Sequence, residues 1–144
     1  MRNNDFHNNV KQVQAIIPAA IGANATKTGA IIDRQGYGGV EFVFDYGSVT
    51  TTGSIVTIVC KEGSVTGTMT SVADADLLGT EALASLLAGA RVAGTGKEVS
   101  KRLGYIGTKR YVQVNAVQTG TTSVGCVAAT ALLFNPSLAP ISNP

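Results

Sequence analysis

Tryptophan is absent from this chain of 144 residues, histidine occurs once, cysteine twice and proline four times. Each scarcity removes a class of chemistry. The single histidine, His7, stands in a polar opening segment, so a Ser-His-Asp or Cys-His relay would hang from an arm unable to hold catalytic geometry. Two cysteines and one histidine fall short of the four ligands of a structural zinc site. Cys60 and Cys126 both lie within apolar runs, where reduced, buried thiols are expected rather than a disulfide framework. Charge is scarce as well: 14% of residues are charged, against roughly 25% in an ordinary soluble domain. With a net charge of +2, no nucleic-acid partner is expected, because phosphate binding needs several cations on one face. No apolar run reaches the roughly 18 residues of a membrane span, and "MRNNDFHNNV" has no apolar core of a signal peptide, so synthesis in a cytoplasm and no membrane partner are expected.

What the chain does have is alternation. In "VEFVFDYG", Val40, Phe42, Phe44 and Tyr46 share one face while Glu41 and Asp45 share the other, the period of a half-buried strand. "SIVTIVCKEG" follows, and the pair reads as a hairpin joined through "GSVTTTG". In "KRYVQVNAV", Val112, Val114 and Ala116 point one way and Tyr111, Gln113 and Asn115 the other. "SVTGTMTSV" repeats the pattern, and the more uniformly apolar "GCVAATALLF" reads as a central strand covered on both sides. Upstream, "VQAIIP" and "KTGAIID" are shorter strands, the first stopped by Pro18. One segment breaks the rhythm: "DLLGTEALASLLAGAR" places Leu83, Leu86 and Leu87 at helical spacing after Thr80, a candidate N-cap, with Gly89 as a stop. It is expected to lie as a lid over an open end.

The expected fold is therefore all-β, a β-sandwich or jelly roll of seven to nine strands with one short helix or lid and extended terminal arms. Residues 1–10 form a polar arm, 11–134 the sandwich, and 135–144 an extended tail in which Pro136, Pro140 and Pro144 forbid helix. Leu138 and Ile141 give that tail something to bury, whether as a frayed end or as a strap across a neighbouring subunit.

Motifs for chemistry are weak. "GARVAGTGKEVS" fails as a phosphate loop, since the position five before Gly96 is Arg91 and Lys97 is followed by Glu98. Asp74 and Asp76 read as a solvated turn, with weak calcium or sugar binding as alternatives; the missing Trp counts against a sugar groove. No enzyme activity, metal or cofactor is expected. The cations remain. Arg91, Lys97, Lys101, Arg102, Lys109 and Arg110 fall within one short stretch. If β-strands flank Gly104 and Gly107, the pairs 101/102 and 109/110 come close across the turn. They either guard a sheet edge against aggregation or form a patch for an acidic partner, with Tyr105 and Tyr111 adding contact area.

The segments "VEFVFDYGSVTT", "SVADADLLGTEA", "LGYIGTKRYVQV" and "ALLFNPSLAPI" occur in that order, and over residues 38–141 the chain resembles small virion proteins encoded beside the major capsid gene of tailed bacteriophages. The resemblance implies a capsid cement or decoration protein: a β-rich homo-oligomer, often a trimer, on the outer capsid surface, bound to the major capsid protein and bracing neighbouring capsomers. It carries no catalytic residues. Head-to-tail connector or tail-completion protein and carbohydrate-binding module are the alternatives.

Overall fold

The computed structural model describes residues 5–47, 55–86, 99–120, 125–138 and 141. Among them the chain forms, in order, α1 (Phe6–Asn9), β1 (Lys11–Ile21), β2 (Thr26–Thr28), β3 (Ile32–Asp33), β4 (Tyr37–Tyr46), β5 (Ile55–Val65), β6 (Thr68–Ser71), β7 (Leu77–Leu78), α2 (Glu81–Ala84), β8 (Val99–Tyr105), β9 (Tyr111–Thr119) and β10 (Gly125–Pro136). The ten labelled strands exceed the expected count because β2 and β3 are two halves of one broken edge, both paired with β9, and β7 is two residues long.

Two antiparallel sheets run in the orders β1-β10-β4-β8-β7 and β2-β9-β5-β6. The pairs β1·β10, β2·β9, β4·β8 and β5·β6 match the first half of the chain to the second in reverse order. That is a ribbon folded at β5–β6 and rolled, the jelly-roll wiring. The core lies between the sheets. Val40, Phe42, Phe44 and Tyr46 of β4 and Leu103 of β8 face Val56, Ile58 and Cys60 of β5 and Val112, Val114 and Ala116 of β9, all buried. Phe42, Phe44 and Tyr46 form a ladder with ring centroids 6.4 and 6.5 Å apart, within the range of favourable aromatic contacts.

Several expectations need correcting. β4 and β5 do not form a hairpin; they belong to opposite sheets, because each has an apolar face and those faces meet across the core. Pro18 does not stop β1. It sits on an edge strand within the register shift between Ile16 and Ala19, a place where a missing N–H is tolerated. β10 is internal, between β1 and β4, but only Val127, Ala129, Ala131 and Leu133 are buried, so one face is covered rather than two. Cys60 is buried, whereas Cys126 is exposed near the start of that strand. In the N-terminal arm, Asp5 caps α1 by accepting from His7 N, and Asn8 O accepts from Ile141 N at 3.0 Å, so the two arms meet each other.

The expected helix stops at Ala84, after one turn capped by Thr80 Oγ1. Ser85 and Leu86 turn extended because the N–H groups of the β5 edge need acceptors. Val56 N donates to Leu86 O (2.9 Å) and Ile58 N to Ser85 Oγ (2.8 Å), while Glu81 Oε1 receives Cys60 N. Tyr46 OH donates to Ala84 O at 2.7 Å from the other sheet. The segment is therefore a clasp along the side of the sandwich, not a lid on its end. Leu87, Gly89, Arg91 and Lys97 lie outside the described residues.

On the opposite side the gap between β2 and β3 does the corresponding job. Gly29 N donates to Val114 O at 3.1 Å and to Asn115 Oδ1 at 3.2 Å, and Ala30 N donates to Ala15 O of β1 at 2.7 Å. A Cβ on Gly29 would stand 2.2 Å from Val114 O and 3.0 Å from Ala15 O, both backbone atoms. Gly29→Ala is expected to cost about 1–3 kcal/mol through overpacking, measured as a fall in the urea unfolding midpoint with an unchanged slope.

Candidate functional site

Strand direction collects the β3–β4, β5–β6 and β8–β9 connections at one end of the sandwich, together with the start of β1 and the end of β10. Arg34 organises this end. Its guanidinium donates to Lys109 O at 2.6 Å, Tyr37 O at 3.1 Å, Gly38 O at 3.3 Å and Gly107 O, and it lies 5.3 Å from the centre of the Tyr105 ring. Its own N–H donates to Arg110 O. One half-buried cation thus holds two loops, with its donors directed at carbonyls that the strand ends leave unpaired.

Tyr105 was a candidate contact residue; the structure overturns this. It is fully buried on the core face of β8. Its hydroxyl donates to Glu62 Oε2 across the core and accepts from Lys109 N at 3.0 Å. Burial, together with the Glu62 carboxylate, pushes the phenol well above its usual range, so it stays a donor at any ordinary pH. The adjoining loop needs Gly107, since a Cβ there would come 2.5 Å from Tyr105 Oη. Ile106 N is also engaged, donating to Asp76 O at 2.9 Å. The backbone of 106–110 is therefore tied inward, while Ile106, Thr108, Lys109 and Arg110 are exposed.

The expected cation cluster does not form, because β8 and β9 lie in opposite sheets and are not paired. Lys101 donates to Ser85 O of the clasp at 2.6 Å, and partial burial lowers its pKa. Arg102 reaches toward Glu41 at 3.8 Å with its side chain 84% exposed, a loose pair. Arg110 makes a two-point ion pair with Asp33, at 2.9 and 2.6 Å, and stacks 4.9 Å from the centre of the Tyr111 ring. Those hydrogen bonds from Arg110 hold the Asp33 carboxyl below its usual range. Lys109 is exposed, and no acidic partner faces its ammonium among the described residues. Leu138 is 84% exposed, and Ile141 is half-buried beside α1. Asp74 and Asp76 occupy an exposed 3-10 turn.

Sequence reasoning missed three residues. Arg34 carries no motif. Glu62 follows the inward positions Val56, Ile58 and Cys60 at period two, a signal that was present but unread. Glu41 was placed facing outward, yet it is half-buried, and that burial raises its pKa despite the opposing charge of Arg102.

No protein-family model matches the chain, and comparison with curated proteins returned no match. Among solved structures, the chain is similar to the PBSX exported protein XepA, with a TM-score of 0.54 and 12% identity over 96% of this chain and 42% of that one. It thus spans less than half the length of XepA. It is also similar to a Bacillus endospore appendage protein of a family of disulfide-linked pili, with a TM-score of 0.41 and 19% identity over 88% of each chain. A third likeness is to the xylan-binding module CBM15, with a TM-score of 0.45 and 11% identity over 93% of this chain and 95% of that one. The XepA likeness concerns the β-sandwich fold alone. No helix among the described residues is long and apolar enough to cross a membrane.

Tyr105→Phe leaves the Glu62 carboxylate and Lys109 N–H without their partner, and a loss of about 1–3 kcal/mol is expected in chemical denaturation. The thiols should also separate cleanly. Burial, reinforced by Glu81 and Glu62, pushes Cys60 up to about 12. A maleimide is expected to label Cys126 alone in the native protein and Cys60 only after denaturation.

Proposed function

We propose that the chain is a non-catalytic structural protein of virions, of the capsid cement type, which binds the outer capsid surface as a homo-oligomer, with a trimer favoured. The observation that carries the reading is the end of the sandwich where β1 begins and β10 finishes. Phe6, Val65, Ile106 and Leu138 are 65%, 59%, 46% and 84% exposed there, beside a loop whose backbone Arg34 and Tyr105 hold in place. Large apolar side chains on a pre-shaped end are costly to a free monomer and useful to a protein that packs against a shell. Many weak contacts repeated by symmetry then add through high effective concentration. The resemblance of residues 38–141 to phage virion proteins supports the same reading, as does the scarcity of charge.

The carbohydrate-binding alternative has less support. Tyr111 is the one aromatic side chain on the outer face of the second sheet among the described residues, and Arg110 already covers it.

The test is co-sedimentation of the purified chain with undecorated phage heads. Binding at the copy number of a shell is expected, and Phe6→Ser with Leu138→Ser together should reduce occupancy at least roughly tenfold while leaving the circular dichroism spectrum unchanged. Binding at the copy number of a single ring would favour the connector alternative, and no binding to heads would end the cement reading.

A further inference from the structure

β8 is covered along one side and only partly along the other. It pairs with β4 from Val99 to Tyr105, but with β7 only at Gly104 and Tyr105. Ile106 N donates to Asp76 O at 2.9 Å, which sets the alternation: the even-numbered residues of β8 turn their N–H and C=O away from β4. Past Leu78 the chain leaves at Gly79, with φ 88°, and enters the cap of α2 at Thr80. Among the described residues no strand lies beside Ser100 and Arg102 on that side, so their backbone groups form a short open edge.

The side chains around that edge are of two kinds. Glu41, Leu78, Gly79, Leu83, Lys101 and Arg102 line a depression of about 550 Å³. Leu78 is 49% and Leu83 69% exposed, so the apolar wall is uncovered. Two cations stand against one carboxylate, which leaves the depression net positive. Glu41 offsets Arg102 weakly, through a contact 3.8 Å long made to a side chain 84% exposed. Lys101 donates to Ser85 O, a neutral acceptor, so that bond does not cancel its charge. A guanidinium on a strand edge, flanked by leucines, fits an extended segment carrying a carboxylate next to apolar side chains.

We propose that this flank takes an extended acidic segment of a partner protein, laid as an added strand beside Ser100 and Arg102. The segment's backbone bonds to the open groups of those two residues, its carboxylate pairs with Arg102, and its apolar side chains cover Leu78 and Leu83. The backbone bonds supply affinity for any extended chain, while the positive charge and the leucines select which one. The surface shares no residue with the apolar end that carries the function proposed above, so either reading can fail alone.

Fluorescence anisotropy of a labelled, end-blocked peptide Ser-Val-Glu-Val-Glu-Ser with the full chain tests this. Saturable binding is expected, and Arg102→Glu should weaken it at least roughly tenfold. Glu41→Gln removes the opposing carboxylate and should tighten it. Leu83→Ser alters a mostly exposed side chain and should weaken binding with an unchanged thermal midpoint. Exchanging both peptide glutamates for glutamine should weaken binding through charge. N-methylation of one of the two alternate sets of peptide amides should abolish it through the backbone. No binding at millimolar peptide would overturn the proposal, as would binding indifferent to Arg102→Glu or to both methylated peptides. An oligomer of the chain alone that Arg102→Glu dissociates would put a second copy at this edge and overturn the assignment to a partner.

Discussion

Everything in this molecule depends on one contact: the apolar inner face of β4 and β8 laid against the inner face of β5 and β9. The driving force is removal of that apolar surface from water, non-directional by nature. Direction comes from the polar groups at its margins. Tyr46 and Tyr105 each carry a ring into the core and a hydroxyl to an acceptor beyond their own sheet, Ala84 O of the clasp in one case and Glu62 of the facing sheet in the other. Two phenols therefore fix how the sheets lie on each other, where a slip would leave buried polar atoms unpaired.

The sides of the sandwich are closed with equal economy. On one, the clasp supplies backbone and side-chain acceptors to the N–H groups of β5 that β6 does not reach. On the other, the broken edge of β2 and β3 bonds to β9 and leans on β1. Exposed strand edges invite uncontrolled pairing. Covering part of them removes unpaired backbone groups that a stray strand could join.

Most of the strands were legible because period-two alternation is a local property, and it located the buried face of β4 and β9. Partnership was not legible. A strand with one apolar face shows the same pattern whether its successor lies beside it or across the core, so β4 and β5 read as a hairpin. Pro18 misled because its tolerance depends on being at an edge, which is a fact of topology. Cys126 misled for a similar reason, since a small residue near the start of an apolar run can point either way. The candidate site was legible in part. Lys109 and Leu138 are exposed, although Leu138 was read as something for the tail to bury, and Tyr105 turned inward because it continues the inward positions of β8. Arg34 was invisible, since its role is to bond carbonyls of residues far along the chain.

The rolled-ribbon wiring has a consequence for how the protein is made. Lys11 pairs with Leu133 and Ile21 with Gly125, so the first strand finds its neighbour only in the last. Such distant pairings are slow to form, because the loop must close before any contact repays it. On a ribosome, β1 and β4 would wait with unsatisfied edges until nearly the whole chain had emerged. Pro18, exposed on β1, and the register shifts of that strand make it a poor template for stray pairing during the delay.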